Sequence, residues 1–311
     1  VHIQGLGEPF LSKDLLPMIR YAKSLGLQTH MITNMTIMTP QLAEALVLSG
    51  HDMLAISLDS PDPAVVAHIR RGAHFDVFER ILRNIRMVRD AQQRLGRQTP
   101  EMVIYAISLK ATLPRMADFV AMCKDLGIRE LCFQDLITQG IPDQACLPDG
   151  ERLADQPLRS LSDAALKQAI LEMKRHADDA VNIVPPHLFD NLILDKRFKN
   201  AVVSCLDLWE RPAIGVDGTV TPCCFTLGAG TLDMGNILGQ SFAEIWHGQR
   251  YQALRWAHIT GRPPEICRNC TQMFQWLDAP AGNGEHRHGY AHCYRSFFMG
   301  DRRCSLRMNG Q

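Results

Sequence analysis

The sequence predicts an α/β protein: a parallel sheet built from repeated strand–helix units, then a smaller cysteine-bearing domain of short strands and tight turns. Three observations carry this reading. Residues 1–140 repeat one theme, an apolar strand, a capped helix and a closing glycine. Their strands are near-continuous Ile, Leu, Val and Met runs, as expected when both faces of a sheet are covered. From residue 201 the chain turns to a hairpin, short helices and clustered cysteines.

The first strand, "VHI", runs directly into a "QGLGEP" turn. Ser12 is the expected cap of "SKDLLPMIRYAKSLG", which ends at Gly26, and "QTHMITN" follows as a strand. Thr39 caps the next helix, with Pro40 at its first position and Gly50 past its end. "MLAISLD" is the third strand; Ser60 is expected to cap the helix after it and Gly72 to close it. "FDVFERILRNIRMVRDAQQRLG" is a longer helix ending at Gly96, and "EMVIYAISL", "PRMADFVAMCKDLG" and "IRELCFQDLI" complete five strands. Ser or Thr caps, Pro just inside and Gly just outside are boundary signals with known causes. Residues 141–200 read as a connector, with Ser162 capping an amphipathic helix and a Pro-Pro break after "NIV". In 201–277, "AIGVDGTVTPCC" reads as a hairpin turning at Asp217-Gly218, a type I′ pair, and Ser241 and Glu244 form a capping box. Residues 278–311 are Gly-, His- and Arg-rich, and disorder is the expectation; His286, His288, His292 and Cys293 there read as incidental.

Of the 311 residues 46% are apolar and 21% charged, and 33 basic residues balance 33 acidic ones. That balance offers no electrostatic case for nucleic acid or an anionic membrane surface. No apolar run is long enough to span a bilayer and no signal-peptide pattern occurs, which favours the cytoplasm. Ten cysteines in such a chain point to metal or cluster ligation rather than disulfides.

In a parallel α/β sheet the ligand site lies at the C-terminal strand ends. Those ends carry Gly5, Gly7 and Glu8; Thr33 and Asn34; Ser57 and Asp59; Lys110; and Gln134 and Asp135. Any one of them could be a turn or cap residue, but all five strands end in polar groups. Four cysteines stand out in the second domain. Cys205 and Cys223 bracket the hairpin, and Cys267 and Cys270 form a C-x2-C turn. Four thiolates suit either zinc or an iron–sulfur cluster, and spacing alone leaves both open. Cys123 and Cys132 fall on apolar faces and read as core; Cys224 reads as a neighbour of the site, and Cys146, Cys293 and Cys304 are unassigned.

Three segments together resemble the radical S-adenosylmethionine (SAM) enzymes that carry a SPASM or twitch domain. "GLGEP" is similar to the family's GGE motif, and "ISLDSPDPAVVAHIRRGAHFDVFERILRNI" to its fourth strand and the following helices. "CLDLWERPAIGVDGTVTPCC", "GNILGQSFAEIWHGQRYQALR" and "CRNC" are similar to the SPASM pattern C-x9–15-G-x4-C…C-x2-C. The resemblance implies a partial (β/α)6 barrel lacking its first βα unit, then a connector, a cluster-binding domain and a tail. It implies that Gly5, Gly7 and Glu8 hold the SAM amino group and that Ser57 and Asp59 lie near its ribose or carboxylate. Cys205, Cys223, Cys267 and Cys270 would ligate one auxiliary [4Fe–4S] cluster. Full SPASM domains continue with C-x5-C-x3-C; Trp276 stands at the first of those positions, so one cluster, the twitch arrangement, is expected. The implied reaction is hydrogen abstraction from a peptide or small-molecule substrate by a 5′-deoxyadenosyl radical. The implied electron donor is a flavodoxin or ferredoxin.

The family's defining C-x3-C-x2-C loop, which binds the SAM-reducing cluster, occurs nowhere in these residues. The expectation is therefore that the chain as it stands does not cleave SAM reductively, being either a fragment of a longer reading frame, the favoured case, or a degenerate member. The rival class is a non-catalytic cluster- or zinc-binding scaffold. A complete metabolic enzyme with a zinc ribbon would leave the sheet without a nucleophile, phosphate loop or metal triad.

Overall fold

Uninterrupted apolar runs need neighbours on both faces, and in the computed structural model they find them in a central parallel sheet. The structure describes residues 1–5, 7–70, 76–136, 145–186, 202–205, 207–228, 230–268, 270 and 274–276. The chain divides into two compact units, Val1–Phe189 and Asp190–Gln311.

In the first unit, β1 (His2–Ile3), β2 (His30–Thr33), β3 (Met53–Ser57), β4 (Glu101–Ser108), β5 (Glu130–Asp135) and β6 (Asn182–Val184) form one sheet in sequential order. Every pairing is parallel, for example Ala55 beside Val103 and Tyr105 beside Cys132. Sequential parallel order requires each crossover to lie on the same side of the sheet, the logic of a (β/α) barrel. The sixth strand comes from the stretch expected to be a connector; it is only three residues long and stops just before Pro185-Pro186.

The crossovers include α1 (Leu15–Ser24), α2 (Pro40–Leu48), α3 (Pro63–Ile69), α4 (Val77–Leu95), α5 (Met116–Asp125) and α6 (Asp163–Arg175). α4 packs on α2 and α3 with a buried stripe that includes Ile81, Ile85 and Val88 at helical spacing. Each such side chain contributes roughly 1.5–3 kcal/mol through removal from water. Two of the residues buried on α4 are polar, Asn84 and Gln92. Thr39 Oγ1 accepts from Leu42 N at 3.2 Å, as expected of a cap, Ser162 caps α6, and Gly96 ends α4 at φ +61°.

Two cap assignments need correction. α1 begins at Leu15, and Ser12 instead accepts from Asp14 N; α3 is capped by Asp62, which accepts from Ala64 N, while Ser60 accepts from Asp62 N. In both cases the serine makes its bond two residues on and shapes the approach, a local competition between side chain and helix. Gly72 and the 278–311 tail, with its histidines, Cys293 and Cys304, lie outside the described residues.

The second unit contains β7 (Val202–Ser204), α7 (Asp207–Glu210), β8 (Ala213–Ile214), β9 (Thr219–Thr221), β10 (Gly235–Asn236), α8 (Phe242–Trp246), α9 (Gln249–Ile259), α10 (Glu265–Arg268) and β11 (Phe274–Trp276). β10, β9 and β8 form an antiparallel sheet, and β11 pairs with β7. The β8–β9 turn differs from the expected two-residue type. Gly218 N donates to Gly215 O at 3.0 Å and Gly215 N to Thr219 O at 2.8 Å, so the loop has three residues and closes on Gly218 at φ +81°. Only the glycine takes positive φ; Asp217 uses its carboxylate to accept from Thr219 N, which favours the three-residue form. A Cβ at Gly218 would meet Asn236 Oδ1 at 2.6 Å, so this position admits no side chain without rearrangement.

Cys205, Leu208, Val220, Met234, Ile245, Tyr251 and Leu254 form the core of this unit. The Arg255 guanidinium lies 4.2 Å from the Trp246 ring centroid and 4.8 Å from that of Tyr251. It donates to the carbonyls of Leu208 and Trp246, so a buried cation is stacked and hydrogen-bonded at once. The Ser241–Glu244 capping box is present. Among the described residues no helix is long and apolar enough to cross a membrane.

Candidate functional site

The polar groups at the end of β2 converge on Glu8, in the turn after β1. The turn after β1 makes Glu8 the cap of a short 3-10 segment, Pro9–Leu11, and its Oε1 accepts from Phe10 N at 3.1 Å. Thr33, the last residue of β2, donates its hydroxyl to the same oxygen at 2.7 Å. Asn34 N donates to Oε2 at 2.8 Å. A carboxylate offers about four lone-pair positions. Three are filled here, leaving one on Oε2 for a further donor. Gly5 and Gly7 flank this carboxylate in sequence, and a Cβ built on either meets no atom within 4 Å.

The ends of β2 and β3 are tied by a residue that the strand-end pattern misses, Arg70. Its guanidinium donates to the carbonyls of Asn34 and Ser57. It also faces the carboxyl groups of Asp59 and Glu8, whose charges partly offset its burial. Asp59 is buried, and burial pushes its pKa up against the opposing influence of Arg70 and of Ile107 N, which donates to Oδ1 at 3.2 Å. Arg70 lies in the "IRRG" run already quoted, so the signal was the motif and not the spacing. Glu8, Thr33, Asn34, Ser57 and Asp59 thus belong to one connected cluster. Lys110 stands apart in a 3-10 turn whose backbone pairs with Gln156, and Ser108 at the end of β4 donates to the Gln134 carbonyl.

In the second unit the four singled-out cysteines come from separate pieces of chain. Cys205 follows β7, Cys223 follows β9, and Cys267 in α10 and Cys270 form a tight turn with Cys270 N donating to Cys267 O at 3.2 Å. Burial pushes the Cys205 thiol up to about 12 and the Cys267 thiol to about 11. The thiols of Cys223 and Cys270 lie near enough to both to raise them further. Among the described residues no three His, Cys, Asp or Glu side chains converge as a site for a single metal ion. Cys224 is exposed. Cys123 and Cys132 are buried with raised thiol pKa values, as a core role requires. Cys146 Sγ lies 3.7 Å from His68 Nε2 and is half-buried.

Comparison with known proteins places these two clusters in family segments. Residues 1–97 match the Radical SAM superfamily, and residues 205–271 match SPASM, an iron–sulfur cluster-binding domain. The chain belongs to the radical SAM superfamily and carries a SPASM domain. A PqqA peptide cyclase of Ruegeria pomeroyi is 26% identical over 277 residues, covering 88% of this chain and 67% of the relative. An AdoMet-dependent heme synthase of Nitratidesulfovibrio vulgaris is 26% identical over 253 residues, covering 77% and 63%. Among solved structures, Streptococcus suis SuiB shares the fold with TM-score 0.59 at 17% identity, covering 80% of this chain and 56% of that one. SuiB has also been solved with S-adenosylmethionine and with its precursor peptide SuiA. The radical SAM–SPASM chain thus spans about two thirds of the curated relatives and little more than half of SuiB.

Proposed function

We propose that this chain belongs to an enzyme that carries out SAM-dependent radical chemistry on a peptide or small-molecule substrate, and that it holds one auxiliary [4Fe–4S] cluster. The observation that carries the reading is the Glu8 carboxylate, held by three donors with one acceptor position left, inside the segment matched to the Radical SAM superfamily. An α-ammonium is a donor that such a position suits. Gly5 and Gly7 leave room for a ligand to approach the backbone, and Ser57 and Asp59 sit at the neighbouring strand end for its ribose or carboxylate. When bound and reduced by one electron, SAM supplies a carbon radical that abstracts hydrogen from the substrate. The chain's own work is to orient the ligand and exclude water.

Cys205 and Cys267, each within electrostatic reach of the Cys223 and Cys270 thiols, make with them a donor set that fits an iron–sulfur cluster chemically, and these four would hold it. A peptide substrate is supported by the relatives named for one, the PqqA peptide cyclase and SuiB with its precursor peptide. A flavodoxin or ferredoxin would supply electrons.

The test is iron, sulfide and zinc content of the chain purified without oxygen. The expected result is about four irons and four sulfides per chain, lost together in a Cys267→Ala/Cys270→Ala variant. About one zinc with no iron would refute the cluster and leave the zinc-stapled scaffold.

A further inference from the structure

The chain leaves β2 through a backbone conformation that methionine resists. Met35 is fully buried at φ +55°, the one non-glycine residue with positive φ among the described residues. A side chain with a Cβ crowds the backbone in this region, so something must hold it there. The holder is Asn84, which lies 49 positions away on α4 and donates Nδ2 to Met35 O at 2.9 Å. From the other side, Thr33 Oγ1 accepts from Met35 N at 2.9 Å. Asn84 is 3% exposed within an apolar stripe, a costly place for an amide unless it has a specific task. Residues held in sparsely populated backbone conformations concentrate at functional sites.

The consequence reaches Glu8. The left-handed residue sits between the two donors, Thr33 Oγ1 and Asn34 N, and the chain that continues into α2. If Met35 relaxes, the Asn34–Met35 peptide turns, Thr33 Oγ1 loses the Met35 N–H, and the hydroxyl that donates to Oε1 is no longer held in place. We propose that Asn84 is a positioning residue of the SAM site: it holds Met35 left-handed and so sets the orientation in which the Glu8 carboxylate meets a ligand ammonium. This rests on the reading of Glu8 as the ammonium acceptor.

The test uses the full chain with Asn84→Leu, which keeps the shape and removes the donor, and Gln92→Leu as a control. Gln92 is also buried on α4, but donates to the carbonyls of Gln98 and Pro100, ahead of β4 and away from the strand ends that carry Glu8. Circular dichroism confirms that both variants fold, and two readouts follow: SAM affinity by titration calorimetry, and hydrogen exchange of the peptide spanning residues 33–36. The expected result for Asn84→Leu is affinity about tenfold weaker and faster exchange of that peptide, with Gln92→Leu matching wild type in both. Unchanged exchange in Asn84→Leu overturns the proposal. So does faster exchange with unchanged SAM affinity. If the wild-type chain binds no SAM, the ammonium reading of Glu8 is refuted and the positioning role falls with it, while the exchange comparison still decides whether Asn84 holds Met35.

Discussion

Replacing Glu130 by Gln should remove a pH dependence from the stability of the first unit. Glu130 opens β5, partly buried, with Cys132 Sγ 3.9 Å from its Oε1. Burial pushes its pKa from 4.5 up to about 7, and the charge of Glu101 adds to the effect. The folded state therefore binds this proton more tightly than the unfolded chain. Where only the folded state is protonated, stability falls as pH rises. The full contribution is present below pH 4.5, declines between 4.5 and about 7, and is absent above. The interval from pH 4.5 to about 7, at about 1.4 kcal/mol per pH unit, sets an upper bound of about 3.5 kcal/mol, and residual solvent access reduces it. Gln keeps the shape and cannot ionise. Urea unfolding of the full chain, read by hydrogen exchange of β5 amides, should give matching stabilities at pH 4.5. At pH 8 the variant should be more stable by about 2 kcal/mol. A difference independent of pH over this range would refute the argument that burial holds the proton.

Two further outcomes concern buried histidines. His51 is fully buried, with Nδ1 2.9 Å from Thr29 Oγ1 and Nε2 without a partner, and burial pushes its pKa down to about 4. Its contribution is present above pH 6.5 and lost as pH falls toward 4, by up to about 3.5 kcal/mol, and thermal unfolding of His51→Gln should show a flatter acid limb. His258 is fully buried in α9 with neither ring nitrogen hydrogen-bonded. His258→Leu removes two unsatisfied polar atoms and should raise the melting temperature of the second unit, by a free energy of about 1 kcal/mol or more.

The parallel sheet is legible because its strands need apolar residues on both faces, and "MLAIS" or "MVIYAIS" has no other economical place. Helix ends are legible where a glycine must take positive φ, as at Gly26, Gly50, Gly96 and Gly127. What escapes has local causes. β6 is too short to show a period, and Ser12 and Ser60 carry cap chemistry while bonding just upstream of the helix. In the candidate site, the "GLGEP" turn and the cysteine spacing are visible through their residue types. The tasks of Arg70, though it lies in the IRRG motif, and of Asn84 are not, because each acts on a backbone carbonyl far away in sequence, and no residue pattern records which carbonyl that is.

The three donors on Glu8 change how any experiment on that residue is read. Phe10 N and the Thr33 hydroxyl both point at Oε1 and Asn34 N points at Oε2, so both oxygens must accept. A glutamine has one acceptor oxygen and one NH2 group. In either orientation Glu8→Gln would set a donor against a donor and leave a partly buried N–H or hydroxyl unpaired. Glu8 therefore fastens the β1 turn to the end of β2 before any ligand arrives, and loss of SAM binding on its substitution would not separate contact from scaffolding. The separation has to come from residues that move the carboxylate without touching a ligand. Asn84 acts on the Oε1 side through Met35 and the Thr33 hydroxyl, and Arg70 acts through the Asn34 carbonyl. A site whose acceptor is oriented from α4 and from the segment after α3 is assembled only when those helices are packed, so ligand competence here is a property of the folded sheet and not of the GLGEP turn alone.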